Sequence, residues 1–304
     1  MSENSSVIIG TAPDSWGVWF PDDPKQTPWE RFLDEVAEAG YKWIELGPHG
    51  YLPTDPARLA DELKARDLKV SAGTVFTAYH RGRDQWDAAW QPAREVAELT
   101  AAMGGEHIVV IPAMWRDDVT GEAVEPGELT AEQWTSLTDG HNELGRRLRE
   151  EFGLQQQFHS HADSHVEGQA DIERFLQNTD GDLVTLCLDT GHAEYGGASS
   201  IGLIEAYPER IGYLHLKQIN PDILATVRAE NMTWAGANSA GVMTEPPGGL
   251  PDLREVIAAC ERLGRDIFGI VEQDMYPVKS FDVPLPIAQR TRNYLLSCGS
   301  RTCI

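Results

Sequence analysis

The sequence predicts a closed (β/α)8 barrel over residues 1–304, on three observations. Short apolar runs alternate with amphipathic stretches eight times from end to end. Such alternation demands a parallel sheet, and eight strands are the number that closes one. No Pro/Gly/Ser-rich linker divides the 304 residues, which favours one barrel over two average domains. No GxGxxG or GxxxxGKS/T follows the first strand, so the runner-up, an open doubly wound sheet, lacks its nucleotide-binding fingerprint.

The units follow in order. VIIGTAP reads as a strand; Thr27, Pro28 and Glu30 then read as a capping box with proline at the first helical position. Trp29, Phe32, Leu33, Val36 and Ala37 recur at helical spacing until Gly40 stops the helix. KWIELG precedes a helix over 56–66 begun by Asp55 and Pro56, and LKVSAGTVF precedes one through PAREVAELTAAMGG. HIVVIPA precedes a helix over 131–151 capped by Thr130 and Gln133. LQQQFHSH leads to DIERFLQN, VTLCLD to IGLIEAY, IGYLHLKQI to PDLREVIAACERLG, and IFGIVEQD to IAQRTRNYLLSCG. Residues 218–250 are too many for an ordinary βα loop. Following strand seven, they are expected to lie over the catalytic face as a lid.

Composition narrows the function. Twenty-five basic against 48 acidic residues give a net charge of −23, which repels a phosphate backbone and argues against nucleic acid as a partner. MSENSS has neither a basic nor an apolar leader segment, and no apolar run approaches the roughly 20 residues of a membrane span. A cytoplasmic protein without membrane contact is expected, with a homo-oligomer left open. Cys187, Cys260, Cys298 and Cys303 show no CxxC spacing and read as reduced thiols.

Chemistry gathers at the strand ends of the second half: QFHSH (157–161), TLCLDTGH (185–192), GYLHLK (212–217) and GIVEQD (269–274). Side chains two apart on a strand share a face, so His159/His161, His215/Lys217 and Glu272/Asp274 each point one way. In barrels of this kind the working residues sit at the C-terminal strand ends. One such group is ordinarily a hydrogen-bonded histidine or a helix-capping acid; four on consecutive strands point to a metal site. The donors are nitrogen and carboxylate oxygen without sulfur, which suits Mn²⁺, Co²⁺, Fe²⁺ or Mg²⁺ better than a structural Zn²⁺ site. Such an ion serves proton abstraction beside a ketone. Trp16, Trp19 and Phe20 follow strand one, as faces for a ring substrate or as a loop anchor. Glu45 ends strand two, where it bonds a substrate hydroxyl or caps the barrel mouth; Arg116 reads as an oxyanion ligand or a solvated loop residue.

Asp189 and His192 in LDTGH, His215 and Lys217 in HLK, and Glu272 in VEQD resemble the xylose-isomerase-like barrels, and among them the inosose (2-keto-myo-inositol) dehydratases. TAPDSWGVWFPDD (11–23), IELGPHGYLPTD (44–55) and FHSHADSHVE (158–167) are similar too, in the same order over nearly the whole chain. The resemblance implies metal ligands at Asp189, His215 and Glu272, with Mn²⁺ or Co²⁺ foremost and Mg²⁺, Fe²⁺ or Zn²⁺ as alternatives. Where the isomerases and epimerases end strand five with glutamate, this chain has His159, and Glu167 is its nearest acid. His159 is favoured as the fourth ligand, which leaves Glu167, Glu45 and Trp16 as substrate contacts. The implied substrate is a small polyol or ketose, and the implied reaction is dehydration of a cyclic polyhydroxy ketone, with Lys217 or His161 as base and His192 as acid. The rival is a sugar isomerase or ketose 3-epimerase using the same enolate chemistry. Gln218 stands where the family reads aspartate after HLK.

Overall fold

A computed structural model describes residues 6–117 and 120–303, so most of MSENSS lies outside the described residues. The chain runs β1 (Val7–Thr11), α1 (Trp29–Ala39), β2 (Trp43–Glu45), α2 (Pro56–Ala65), β3 (Lys69–Thr77), α3 (Arg83–Ala102), β4 (His107–Pro112), α4 (Ala131–Phe152) and β5 (Gln155–His159). It continues through α5 (Gln169–Gln177), β6 (Val184–Asp189), α6 (Thr190–Tyr195), α7 (Ser200–Ala206), β7 (Ile211–Leu216), β8 (Gln218–Ile219) and α8 (Pro221–Glu230). The last elements are α9 (Trp234–Ser239), β9 (Met243–Thr244), α10 (Leu253–Glu261), β10 (Ile267–Val271) and α11 (Pro284–Ser297). The strands close in the order β1-β10-β7-β6-β5-β4-β3-β2, all parallel. The predicted barrel is thus the observed one.

Strand alternation divides the core into two layers. Val7, Ile9, Ile108, Val110, Leu186 and Leu188 face the helices, while Ile8, Val109, Cys187, Tyr213 and Ile270 fill the barrel itself. Among the latter, the Cys187 thiol is pushed up to about 12 by burial, which makes it an inert packing group.

Local signals held in most places. Thr130 and Gln133 form the predicted capping box of α4, the Asp55 carboxylate accepts from the Arg58 N–H at 2.8 Å, and Gly40 ends α1 at φ 89°. The first helix departs from expectation. Pro28 occupies the cap position of α1, and the Thr27 hydroxyl donates to the Trp16 carbonyl at 2.8 Å, pinning the loop after β1 instead of capping. A one-turn helix, α6, also begins directly at the end of β6. Residues 218–250 fold as β8, α8, α9 and β9, with β8 and β9 antiparallel, around a separate apolar cluster including Trp234, Leu224 and Val242. No helix among the described residues is long and apolar enough to cross a membrane.

Candidate metal centre

The strand ends converge because neighbouring strands stand in register. Asp189 on β6 pairs with His215 on β7, which pairs with Ile270 on β10, two residues before Glu272; His159 on β5 pairs with Cys187. Asp189 divides its oxygens. Oδ1 accepts the His192 N–H at 2.8 Å and so caps α6, which turns Oδ2 toward His159 Nε2 at 3.2 Å and His215 Nδ1 at 3.6 Å. Glu272 Oε2 lies 2.9 Å from the same His215 Nδ1. Thr190 joins the ends of β6 and β7, donating to the Lys217 carbonyl at 2.7 Å and accepting the Lys217 N–H at 3.0 Å. Gly191 lets α6 pass close by, for a Cβ there would lie 2.6 Å from Lys217 Cβ.

The donors fit a divalent ion. Neighbouring donors stand 2.9, 3.2 and 3.6 Å apart, near the roughly 3.0–3.4 Å of atoms sharing one first-row ion at about 2.1 Å, and form two groups that share His215: His159, Asp189 and His215, and Glu45, His215 and Glu272. His215 Nδ1 is buried and makes no hydrogen bond, although two carboxylate oxygens lie near it. Its other nitrogen, Nε2, lies 2.7 Å from Glu45 Oε1, and Thr74 Oγ1 donates to Glu45 Oε2 at 3.2 Å. A carboxylate on the far side of a histidine fixes the tautomer that leaves the near nitrogen free to ligate. Glu45 lines the cavity at the end of β2, as expected from the sequence, and its two oxygens also meet His215 and Thr74. Glu167 is displaced from its expected place, since it does not line the cavity, and burial pushes its carboxyl up to about 7. His159, by contrast, stands with Asp189 and His215 in one group of donors within 4.8 Å of one another.

Lys217 lies 3.1 Å from Asp189 Oδ2, 2.9 Å from Glu272 Oε2 and 2.8 Å from Asp274 Oδ2. Burial alone would lower its pKa, but Asp189, Asp274 and Glu272 outweigh burial and hold the ammonium well above the ordinary lysine value. His161 behaves oppositely, pushed down to about 3 chiefly by burial. Its Nδ1 lies 2.8 Å from the Ala162 carbonyl, a contact that places the ring proton there and the lone pair on Nε2. His192 sits behind it, ring centroids 4.0 Å apart, with Nδ1 accepting the Ala162 N–H at 3.1 Å. It does not line the cavity, so the acid role expected for it has no access from this position.

Trp16 is also corrected: it is wholly buried, its Nε1 donates to Glu35 at 2.8 Å, and it packs edge-on against Phe32. Of the three aromatics after β1, Trp19 and Phe20 reach the cavity. Arg116 is neither oxyanion ligand nor solvated; it donates to the Asn231 and Met232 carbonyls of the segment between α8 and α9 at 3.1 and 3.2 Å. Gln218 is buried and bonds Pro251 and Gly249, tying the same excursion at its return. Asp14 and Trp234 are among the cavity residues that escaped the sequence reading. Asp14, beyond β1, is held above the ordinary carboxyl range by burial and then by Glu272 and Asp274; its position just past a strand end was a usable signal. Trp234 enters from α9, which no strand-end rule reaches. The cavity, about 330 Å³, has the size of a small-molecule site. A second group, His80, Glu125 and His165, joins three βα loops, but Arg81 already neutralises Glu125 at 3.0 Å.

The xylose isomerase-like TIM barrel model matches residues 33–278. A protein named inosose dehydratase from Lacticaseibacillus casei is 30% identical over 298 residues, spanning 95% of this chain and 96% of that relative. Among solved structures, the IOLI protein with a bound zinc atom superposes with a TM-score of 0.72 at 16% identity, covering 96% of this chain and 98% of that one. L-ribulose 3-epimerase superposes with a TM-score of 0.69 at 17% identity, covering 96% and 94%. At those identities the solved structures speak to the fold. The chain is an enzyme and belongs to the xylose isomerase-like TIM barrel family.

Proposed function

We propose that the enzyme is a carbon–oxygen lyase that removes water from a cyclic polyhydroxy ketone such as 2-keto-myo-inositol. The observation that carries this reading is the placement of His161 and Lys217 in one cavity, next to the His159, Asp189, His215 and Glu272 donors. The named relative supports the choice of substrate. His159, Asp189, His215 and Glu272 would hold a divalent ion, Mn²⁺ or Co²⁺ by donor type, which would supply the Lewis acidity for deprotonation beside a carbonyl.

His161 Nε2 takes the α-proton, because its lone pair is free and the ring is uncharged. Lys217 Nζ, 2.8 Å from Asp274, delivers a proton to the departing β-hydroxyl; after product release His161 gives its proton to solvent and Lys217 regains one from it. The C–H and C–O bonds break, a C=C bond forms, water leaves, and the enol tautomerises to a diketone. Trp234, 5.6 Å from His161 between ring centroids, and the His192 ring behind keep water from the base.

The test is mass spectrometry of metal-loaded enzyme incubated in ²H₂O with 2-keto-myo-inositol and, separately, with ketohexoses. Loss of water from the inosose, abolished by chelator, is the expected result. Deuterated ketose of unchanged formula, with no water lost from any inosose, would overturn the lyase reading in favour of the epimerase.

A further inference from the structure

The cavity carries polar groups around most of its circumference, Asp14 past β1 and Glu45 on β2 among them, and is apolar at β3 and β4. β5, β7 and β10 and the residues just past them present His159, His161, His215, Lys217, Glu272 and Asp274 to it. β3 and β4 and the residues past them present Thr74, Phe76, Ile111 and Met114, and Thr74 is already bonded to Glu45. Phe76 is 61% exposed although it belongs to a barrel strand, and Phe20, on the loop after β1, is 45% exposed; both line the cavity. This rim is braced in place. Trp19 stacks on Tyr276 at 5.0 Å, Phe20 meets the same ring edge-on at 5.2 Å, and the Tyr276 hydroxyl donates to Asp23 at 3.0 Å.

We infer that the site binds a cyclic ketone carrying an apolar substituent, aryl or alkyl, more tightly than the bare polyhydroxy ring, the substituent lying against Phe76, Ile111, Met114 and Phe20 while the keto and hydroxyl groups face the polar side. This deepens the lyase reading and rests on it. A ring bearing hydroxyls around its whole edge would turn some of them toward Phe76, Ile111 and Met114, where they leave water and find no side-chain partner. An apolar group instead exchanges water for aromatic and aliphatic contact. The continuity of the exposed rim with the polar cluster makes a single ligand its occupant, in preference to a second copy of the chain.

The experiment compares 2-keto-myo-inositol with the same ketone carrying an O-benzyl group on the ring carbon opposite the carbonyl. Kd is read from tryptophan fluorescence and water loss by mass spectrometry, in the wild type and in Phe76→Ala. The benzyl ketone is expected to bind about tenfold more tightly or better, and Phe76→Ala to collapse that ratio toward one. Equal affinities, or a ratio untouched by Phe76→Ala, overturn the inference while turnover of the bare ketone leaves the lyase reading standing. Tight, Phe76-dependent binding of the benzyl ketone without water loss upholds the rim and sinks the lyase reading. A dimer in sedimentation that Phe76→Glu dissociates assigns the rim to a second copy and overturns the inference.

Discussion

Replacing Glu45 separates two roles that its position at a strand end leaves open. The sequence expectation was a substrate contact; in the structure Oε1 also meets His215 Nε2 at 2.7 Å and Oε2 meets Thr74. If Glu45 sets the tautomer of a ligating histidine, its loss acts on the metal before it acts on the substrate. Removing such a partner typically weakens a metal site by about 10–100-fold, or roughly 1.4–2.7 kcal/mol. Glu45→Gln keeps an acceptor for the Nε2 proton and should fall near the tenfold end; Glu45→Ala leaves a buried N–H unpaired and should approach the hundredfold end. Competition against a chromophoric chelator gives the ion's Kd, and kinetics at saturating metal give kcat and KM. The expected outcome is a weakened Kd for the ion with KM within about twofold of the wild type once the site is filled. Unchanged metal affinity with a KM raised tenfold would refute the reasoning and restore Glu45 to the substrate.

Three further outcomes follow from the same geometry. Asp189→Asn retains an oxygen for the α6 cap while removing the anionic ligand, so it should fold with a melting temperature near the wild type and lose bound ion by elemental analysis; full occupancy would dismiss Asp189 as a ligand. Lys217→Met should keep the ion and lose most turnover, and should cost about 3–5 kcal/mol of stability in denaturant titrations, because Asp274 is left buried beside other acids; unchanged turnover would remove Lys217 from the chemistry. His159→Ala should lower metal affinity by tenfold or more, whereas Glu167→Ala, away from the cavity, should leave it unaltered; the reverse pattern would make Glu167 the fourth ligand.

The barrel was legible because strand and helix periods, Asp55, Thr130 and Gly40 agree with one another over the whole length. The positions of His159, Asp189, His215 and Glu272 were legible for the same reason: a strand's end is readable from its pattern, and the fold puts those ends on one face. Depth and partnership were not. Trp16 and Trp19 are three residues apart in one loop, and nothing in their spacing tells that one is buried against Phe32 while the other reaches the cavity. His192 follows Asp189 by three residues, and only the turn of α6, started by the Asp189 cap, shows that its ring falls behind His161. Trp234 and Phe76 depend on how an irregular excursion and an exposed strand face close the mouth, which no local period encodes.

On the polar side of the cavity a cluster of carboxyl groups around Lys217 adjoins a cluster of rings at His161, an arrangement the proposed elimination would use. Asp14, Glu45, Asp189, Glu272 and Asp274 bring their carboxyl groups to one region, and Lys217 sets an ammonium among them. Burial first, and then Glu272 and the neighbouring acids, holds Asp14 and Asp274 above their ordinary values against the opposing pull of Lys217. A region so charged favours a cation, and the net charge of −23 draws cations toward the whole molecule. Beside it, His161 is buried against His192 and Trp234, whose rings carry no charge to favour an imidazolium, so its imidazole stays neutral. Were the histidine set among the carboxylates, it would hold its proton and lose its use as a base. Were the lysine set among the rings, burial would strip its proton and leave nothing to give the departing hydroxyl. The arrangement found keeps proton acceptor and proton donor ready in the same cavity at the same pH.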